Sequence, residues 1–536
     1  MSQRLRFLSP RLWDIAALAV VVAVVVAQVS FLLADGRIPS DQGLYYRDLP
    51  QRYADWQALD LSAIMTSLGE STGWYNALIA LAMVVFGVSP QLFATFGAVW
   101  VGLILVGVGL IARKLHSPAA GLAAVCLAAA MPAVFLMGRT AWIHTPETAL
   151  ILTLVAVWVW DRTLEHRRTV VALALLGMLT VALRPSGVIW VGMLTPLLMV
   201  HAPRRWLRIG AVALSWLVSL AVPLDNAEHY MLAKAQARER YADQLPDLMV
   251  QIIALVGHLP LGVVAVGLVA GIISLLVRRP KTWESLIVVL LLWPGGSLLL
   301  WSLFQAGLDN FPLIAPGLAI LGGWGLARLG RPLALLGVPV FLLVYIPQWV
   351  PTASLMSLHR IPGAGLYLHG SDIKNHYRVY QRYGWADLQA LIAATCGEAQ
   401  CIVAVDQGLL EPFSEDIGAL ELFLTEADDT VKLVSIRNGT PHSSLDINAL
   451  VEFHCDSEAD LQWRQRFPQS IDNLTTILSD YKLQPVWSRP VRNGCEVIWM
   501  TPEGALLDAD AMPTDGQRIL PMNPRPAELD GSGPMR

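Results

Sequence analysis

Four short stretches of this 536-residue chain set ionisable side chains beside long apolar runs. The first, Ile38 to Asp48, has Asp41 followed by Tyr45, Arg47 and Asp48. If the segment is helical, Tyr45 and Arg47 lie in reach of Asp41, and an ionised carboxylate there can take a proton as a general base. The same residues also read as the polar, solvated start of a loop. The second stretch, Gly138 to Glu147, carries Arg139, His144 and Glu147. Glu147 follows Pro146 at a helix start, where a carboxylate complements the helix N-terminus. Ionisable groups at a membrane boundary between two long spans are also often functional. The third, Leu183 to Gly187, is a turn that leaves Arg184 close to the membrane. A guanidinium there suits a phosphate, through two parallel hydrogen bonds, and it also fits a side chain snorkelling to the interface. The fourth, Phe304 to Asn310, holds Gln305 and Asp309. A longer polar stretch, 224–248, mixes charges of both signs, and its sequence does not say which of them point inward.

The elements that must position these residues are apolar helices. The chain is 55% hydrophobic and 15% charged, where a soluble protein carries about 25% charged residues. Apolar runs recur from residue 13 to about residue 350, most of them long enough to cross a hydrocarbon core of about 30 Å. We place spans at 13–34, 91–112, 117–137, 146–160, 169–183, 186–200, 208–223, 249–277, 283–303, 311–328 and 332–349, about eleven transmembrane helices. With the N-terminus inside, alternation gathers Arg113/Lys114, Arg162/Arg167/Arg168, Arg204/Arg205/Arg208, Arg278/Arg279/Lys281 and Arg328/Arg331 on the inner side, as the positive-inside rule requires. The apolar stretch 74–88 is too short and too closely bounded by Gly and Pro to be counted among the spans. Counting it would put every later Arg cluster outside, so we place it as an interfacial or re-entrant helix in a long first outer loop, residues 35–90.

After residue 350 the sequence becomes that of a soluble domain. Residues 1–350 carry 24 Lys+Arg against 17 Asp+Glu, and residues 351–536 carry 14 against 25. Runs at 401–405 and 431–436 read as strands, and 385–395 and 471–481 as helices, so 351–505 is expected to be a small α/β domain. Residues 506–536, rich in Pro, Asp and Gly, read as a disordered tail. Four of the five cysteines, Cys396, Cys401, Cys455 and Cys495, fall in this part. An even count without a CxxC pair favours disulfides in an oxidising compartment over zinc, with Cys396–Cys401 and Cys455–Cys495 as plausible bridges. No basic stripe with interleaved aromatics is present, so nucleic acid is not an expected partner.

Four segments, in order, resemble the GT-C superfamily of polyprenyl-phosphate-sugar transferases. The likeness is nearest to the bacterial branch with lipid A aminoarabinose transferase, protein O-mannosyltransferase relatives and Rgt-type transferases. "PSDQGLYYRDL" resembles the family's first-loop segment. The stretch from "GWYNALIAL" to "CLAAAMP" resembles its interfacial helix and next two spans. "GRTAWIHTPETAL" resembles its second acidic loop, and "LTVALRPSG" the segment that usually reads Thr-Lys-Gly. The resemblance puts Asp41 at the catalytic first-loop carboxylate and Arg184 at the lysine that contacts the donor phosphate. The second-loop acid aligns with His144, and Glu147 stands three residues on as a substitute. "LDNFPLIAPGLAIL" is similar to a late family segment but has Asp309-Asn310-Phe311 where Arg-Tyr is usual.

The resemblance implies an inverting transfer of a sugar from a polyprenyl-phosphate donor to a lipid, glycan or protein acceptor. Asp41, His144 and Glu147 would be catalytic and Arg184 would bind phosphate, with Tyr45, Arg47, Asp48, Arg139 and Asp309 in support. We expect no cofactor and no metal, although an Asp with His or Glu is a set that can hold a divalent ion. Membrane lipids are partners by location, and the C-terminal domain would lie on the periplasmic side of a bacterial inner membrane. Two other readings fit a polytopic α-helical chain with a soluble α/β domain. A transporter would show internal repeats, and none is visible between the halves. A cell-envelope scaffold would place its work in the soluble domain.

Overall fold

The computed structural model of the chain describes residues 9–35, 49–68, 73–88, 90–137, 144–184, 187–220, 252–253, 255–277, 313–345, 360–361, 366–367, 385–396, 401–405, 431–435, 447–455, 477–491, 495–505, 507 and 517–518. It divides into two compact units: Met1–Ala34 with Ala58–Leu81 and Gln91–Arg378, and Asp35–Gln57 with Ala82–Pro90 and Val379–Arg536.

The helices follow the apolar runs. They are α1 (Pro10–Asp35), α2 (Leu49–Gln57), α3 (Leu61–Leu68), α4 (Gly73–Phe86), α5 (Pro90–Leu115), α6 (Pro118–Ala129) and α7 (Pro132–Met137). There follow α8 (His144–Trp160), α9 (Arg167–Leu183), α10 (Gly187–His201), α11 (Trp206–Leu220), α12 (His258–Val277), α13 (Ile314–Leu329), α14 (Arg331–Ala334) and α15 (Gly337–Tyr345). Among the described residues, two stretches are long and apolar enough to cross a membrane alone, Pro10–Ser30 and Thr95–Leu115. Several expected spans are interrupted, each for a local reason. The run 117–137 breaks before Pro132, because proline pushes the residue before it out of the helical region. The run 249–277 is interrupted at Gly257, whose φ of +82° suits glycine, so α12 starts at His258. The run 332–349 breaks into α14 and α15. The expected span 283–303 and the segment 224–248 lie outside the described residues.

One continuous apolar core joins α1 and the helices from α5 to α15. The packing of α13 against α12 is backbone to backbone: a Cβ on Gly325 would sit 1.8 Å from the carbonyl oxygen of Gly267. Small residues that let helix backbones meet are the usual basis of association in lipid. The outward faces are apolar too. Ile15, Leu18, Val22 and Val26 on α1, Leu214 and Leu217 on α11, and Val266, Val269 and Ile273 on α12 are all exposed. In water such a perimeter would aggregate; in a bilayer it is the expected finish.

The helices share two ends, identifiable from cross-links within this unit. At one, Arg113 pairs with Asp14 at 2.9 Å, Lys114 lies over the Trp160 ring, His116 meets the Ala327 carbonyl, and Arg208 donates to the carbonyls of Leu164 and Glu165. These contacts bring together the start of α1 and the ends of α5, α8 and α13, the same loops that alternation assigned to the inner side. At the other end, Thr145 Oγ1 donates to the Met137 carbonyl, and the start of α8 meets the end of α9.

The second unit holds a six-stranded sheet. Its strands are β3 (Cys401–Val405), β4 (Val431–Ser435), β5 (Ile447–Cys455), β6 (Leu483–Val491), β7 (Cys495–Pro502) and β8 (Gln517–Arg518), in the order β4-β3-β5-β7-β6-β8. In the first unit, β1 (Arg360–Ile361) and β2 (Leu366–Tyr367) form an antiparallel pair. β3 runs parallel to both β4 and β5, and the rest are antiparallel. The α16 helix (Trp385–Cys396) precedes β3, and a disulfide joins Cys396, its last residue, to Cys401, the first residue of β3. Cys455 and Cys495 stand directly opposite in the β5–β7 register. The helix 385–396 and the strands 401–405 and 431–435 lie where the sequence pattern put them.

Candidate functional site

The end of the bundle opposite the basic loops carries a buried polar cluster. It is assembled by the α8–α9 hairpin. The start of α8 reads His144-Thr145-Pro146-Glu147, and Glu147 falls in its first turn. Proline costs nothing there, because a first-turn N–H has no intrahelical partner. The carboxylate faces the positive end of the helix dipole. On the neighbouring strand of the hairpin, α9 ends at Leu183, and Arg184 leaves the helix in extended backbone at φ −157°. Its N–H still donates to the Thr180 carbonyl at 3.3 Å. The turn closes when the Gly187 N–H donates to the Arg184 carbonyl at 2.9 Å. Only glycine fits at 187, since a Cβ would come within 2.4 Å of the Thr180 carbonyl oxygen.

These constraints aim Arg184 at the mouth of α8. Arg184 Nη1 donates to Glu147 Oε2 at 2.9 Å. The same nitrogen contacts His144 Nδ1 and lies 3.3 Å from Nε2. His144 Nδ1 is 3.6 Å from Glu147 Oε2. His144 is fully buried, and Glu147 and Arg184 are each 4% exposed. The guanidinium, the carboxylate and the imidazole therefore form one buried set of contacts.

The geometry decides between two readings of Arg184 and unites three residues. Arg184 does not snorkel, because its guanidinium is buried and paired. His144, Glu147 and Arg184, taken from two separate stretches of sequence, form one site. Asp41, Tyr45, Arg47, Asp48, Arg139 and Asp309 lie outside the described residues. The pairing of Glu147 with Arg184 was not anticipated. Its signal was there in opposite charges at the two ends of one predicted helical hairpin.

The cluster is expensive to bury. Removing a charge pair from water costs several kcal/mol per ion, and apolar replacements of such pairs are often no less stable. A fold has little to gain from it, whereas ionisable groups set into membrane helices mark functional sites by default. Among the described residues, no group of three His, Cys, Asp or Glu side chains is placed to hold a metal ion. His144 and Glu147 supply two such donors.

No protein-family model and no curated protein sequence matches the chain. Solved structures do match. ArnT from Cupriavidus metallidurans in the apo state aligns with a TM-score of 0.51 at 12% identity, over 94% of this chain and 99% of that one. The same enzyme bound to undecaprenyl phosphate aligns with a TM-score of 0.51 at 11% identity, over 92% and 98%. The Archaeoglobus fulgidus oligosaccharyltransferase in the apo form aligns with a TM-score of 0.49 at 10% identity, over 92% and 76%. The near end-to-end match to ArnT shows that the two chains share a fold, as the resemblance in the sequence led us to expect.

Proposed function

We propose that this chain is a membrane glycosyltransferase that moves a sugar from a polyprenyl-phosphate donor to a lipid, glycan or protein acceptor on the periplasmic face. The observation that carries the reading is the buried Arg184–Glu147–His144 cluster at the end of the bundle away from the basic loops. By the positive-inside rule, that end is extracytoplasmic. Eleven spans from an inside start would put the sheet domain on the same side, where the Cys396–Cys401 disulfide is at home.

In this mechanism Asp41 takes the proton of the acceptor hydroxyl as its oxygen attacks the anomeric carbon. The bond from that carbon to the phosphate oxygen breaks, its electron pair leaves with the polyprenyl phosphate, and the configuration inverts. Arg184 stabilises the charge that grows on the departing phosphate. Glu147 holds the guanidinium in place until the phosphate arrives, and His144 orients the acceptor. The leaving group is already a good one, so the reaction as written routes no step through a metal ion. The fold likeness to an enzyme solved with undecaprenyl phosphate supports a lipid-phosphate ligand here.

Binding of undecaprenyl phosphate to the purified full-length protein, with undecaprenol as the phosphate-free control, tests this. The phosphate form should bind at least about tenfold more tightly, and Arg184→Ala should abolish the difference. Asp41→Asn should keep the binding and lose transfer from a radiolabelled pool of membrane lipid-linked sugars. Equal binding of the two lipids by the wild type would sink the proposal.

A further inference from the structure

A second arginine stands in a different predicament at the basic end of the bundle. Arg328 lies in the last turn of α13. Its Nε and Nη2 are buried and have no hydrogen-bond partner among the described residues. A guanidinium carries a fixed charge and five donors, and leaving buried donors unmet is costly. The Trp324 ring beneath it, 5.9 Å from Cζ, takes part of the charge but none of those donors. The neighbouring His116 does not compete. Burial pushes its imidazole below the usual range, contact with the Ala327 carbonyl opposes that, and the Arg328 charge adds to the lowering.

Arg328 is one of the residues that line a groove of about 720 Å³ between α12 and α13. Val266, Val269, Ile273 and Leu329 line it, and Ser274 is the one other polar lining side chain. The three α12 side chains are more than half exposed, on the lipid-facing side of the helix. The result is an apolar trough with a cation at its cytoplasmic mouth, beside the exposed Arg331. That end faces the leaflet whose anionic lipids attract basic groups.

We propose that this groove binds one anionic glycerophospholipid of the inner leaflet, its phosphodiester on Arg328 and Ser274 and an acyl chain along Val266, Val269 and Ile273. A turn of the side chain that brings its two unmet donors into the groove gives an anion there two charge-assisted bonds. A zwitterionic headgroup is a poorer occupant, because its own cation competes with the guanidinium. The site is distinct from the Arg184 cluster: α13 separates the two ends by about 24 Å, at 1.5 Å per residue over its 16 residues. It depends on the bundle being lipid-embedded and does not depend on the transferase reading.

Native mass spectrometry of the full-length protein, released from mixed phosphatidylglycerol and phosphatidylcholine bilayers, provides the test. The wild type should retain one phosphatidylglycerol in preference to phosphatidylcholine. Arg328→Gln should lower that retention at least about tenfold. Val269→Trp, which fills the trough and leaves the charge in place, should do the same and decides the matter if Arg328→Gln fails to fold. Arg184→Ala should leave phosphatidylglycerol retention unchanged. Equal retention of the two lipids, retention that survives Val269→Trp, or displacement by equimolar undecaprenyl phosphate would each overturn the assignment.

Discussion

At one end of the helical bundle Arg184 is 4% exposed and pairs with a carboxylate that is equally buried. At the other end Arg113 and Asp14 make an ion pair of the same length, 2.9 Å, with side chains 37% and 36% exposed. The distance is the same and the physics is not. An exposed pair sits in high dielectric and contributes about 0–1 kcal/mol. A buried pair has already lost its hydration, so each charge depends on the other. The basic end spreads its cations over backbone carbonyls, an aromatic face and solvent, as Arg208 and Lys114 illustrate. The opposite end concentrates one cation, one anion and one imidazole in a dry pocket. An end built to sit at a charged interface loses little when one of its exposed charges is removed. An end built around a mutually dependent set does not.

The sharpest way to break that contrast is Glu147→Gln. It takes the carboxylate away from a buried Arg184 charge, and should cost about 3–5 kcal/mol of stability. The melting temperature of the detergent-solubilised protein reads this. The double replacement Arg184→Met with Glu147→Leu should recover most of the loss, because neither charge then remains. The single variant has a second, opposite signature. With its carboxylate partner gone, the guanidinium should bind undecaprenyl phosphate more tightly than in the wild type. Weaker binding by Glu147→Gln would mean that Glu147 contacts the ligand itself and does not merely tether Arg184.

A smaller effect is expected from Asp161, in the α8–α9 turn at the basic end. Burial alone would raise its pKa, but N–H groups of His166 and Glu165, with the side chains of Thr169 and His166, more than offset this and hold the carboxyl at about 2. A carboxyl depressed in the folded state stabilises the protein above its unfolded value, and that contribution disappears as pH falls through about 2. Asp161→Ala removes both acceptor oxygens of the turn and should cost about 1–2 kcal/mol at neutral pH, in the range of a lost helix cap. The gap in melting temperature between wild type and variant should narrow between pH 4 and pH 2. A gap independent of pH would assign the effect to packing.

Much of this contrast was legible in the sequence, and the part that was not has a clear cause. The basic loops could be sorted to one end because positive charge and apolar run length are both local properties. Arg113, Arg208 and Arg328 reached the same end of the bundle by counting alone. Helix interruptions at Pro132 and Gly257 were written in the residues but hidden by the continuity of the apolar runs. The Glu147–Arg184 pair was signalled only by opposite charges at the two ends of one hairpin; that they meet depends on how α8 and α9 pack side by side and bring residues 37 positions apart together. Which alternative held for Arg184, snorkelling or binding inward, was likewise a question of tertiary burial. The backbone contact at Gly325 belongs to the same class, since a glycine in an apolar run announces nothing about its partner.

The smallest expected effect tests the tolerant end from the other direction. Arg204 and Arg205 form the short turn between α10 and α11, both exposed. Replacing both with glutamine removes two inner-side charges and no contact in the core, so stability should change by less than about 0.5 kcal/mol. Those charges matter to orientation in a cumulative way. Two of many should therefore leave topology unchanged as well. Thr163, exposed in the α8–α9 turn, offers the readout: as Thr163→Cys it should react with a membrane-impermeant maleimide in inside-out vesicles and be silent in right-side-out ones, with or without the two arginines. Labelling from the outer side in the otherwise unaltered protein would reverse the assignment of the two ends. Arg184 would then lie on the cytoplasmic face, and a donor presented outside could not reach it.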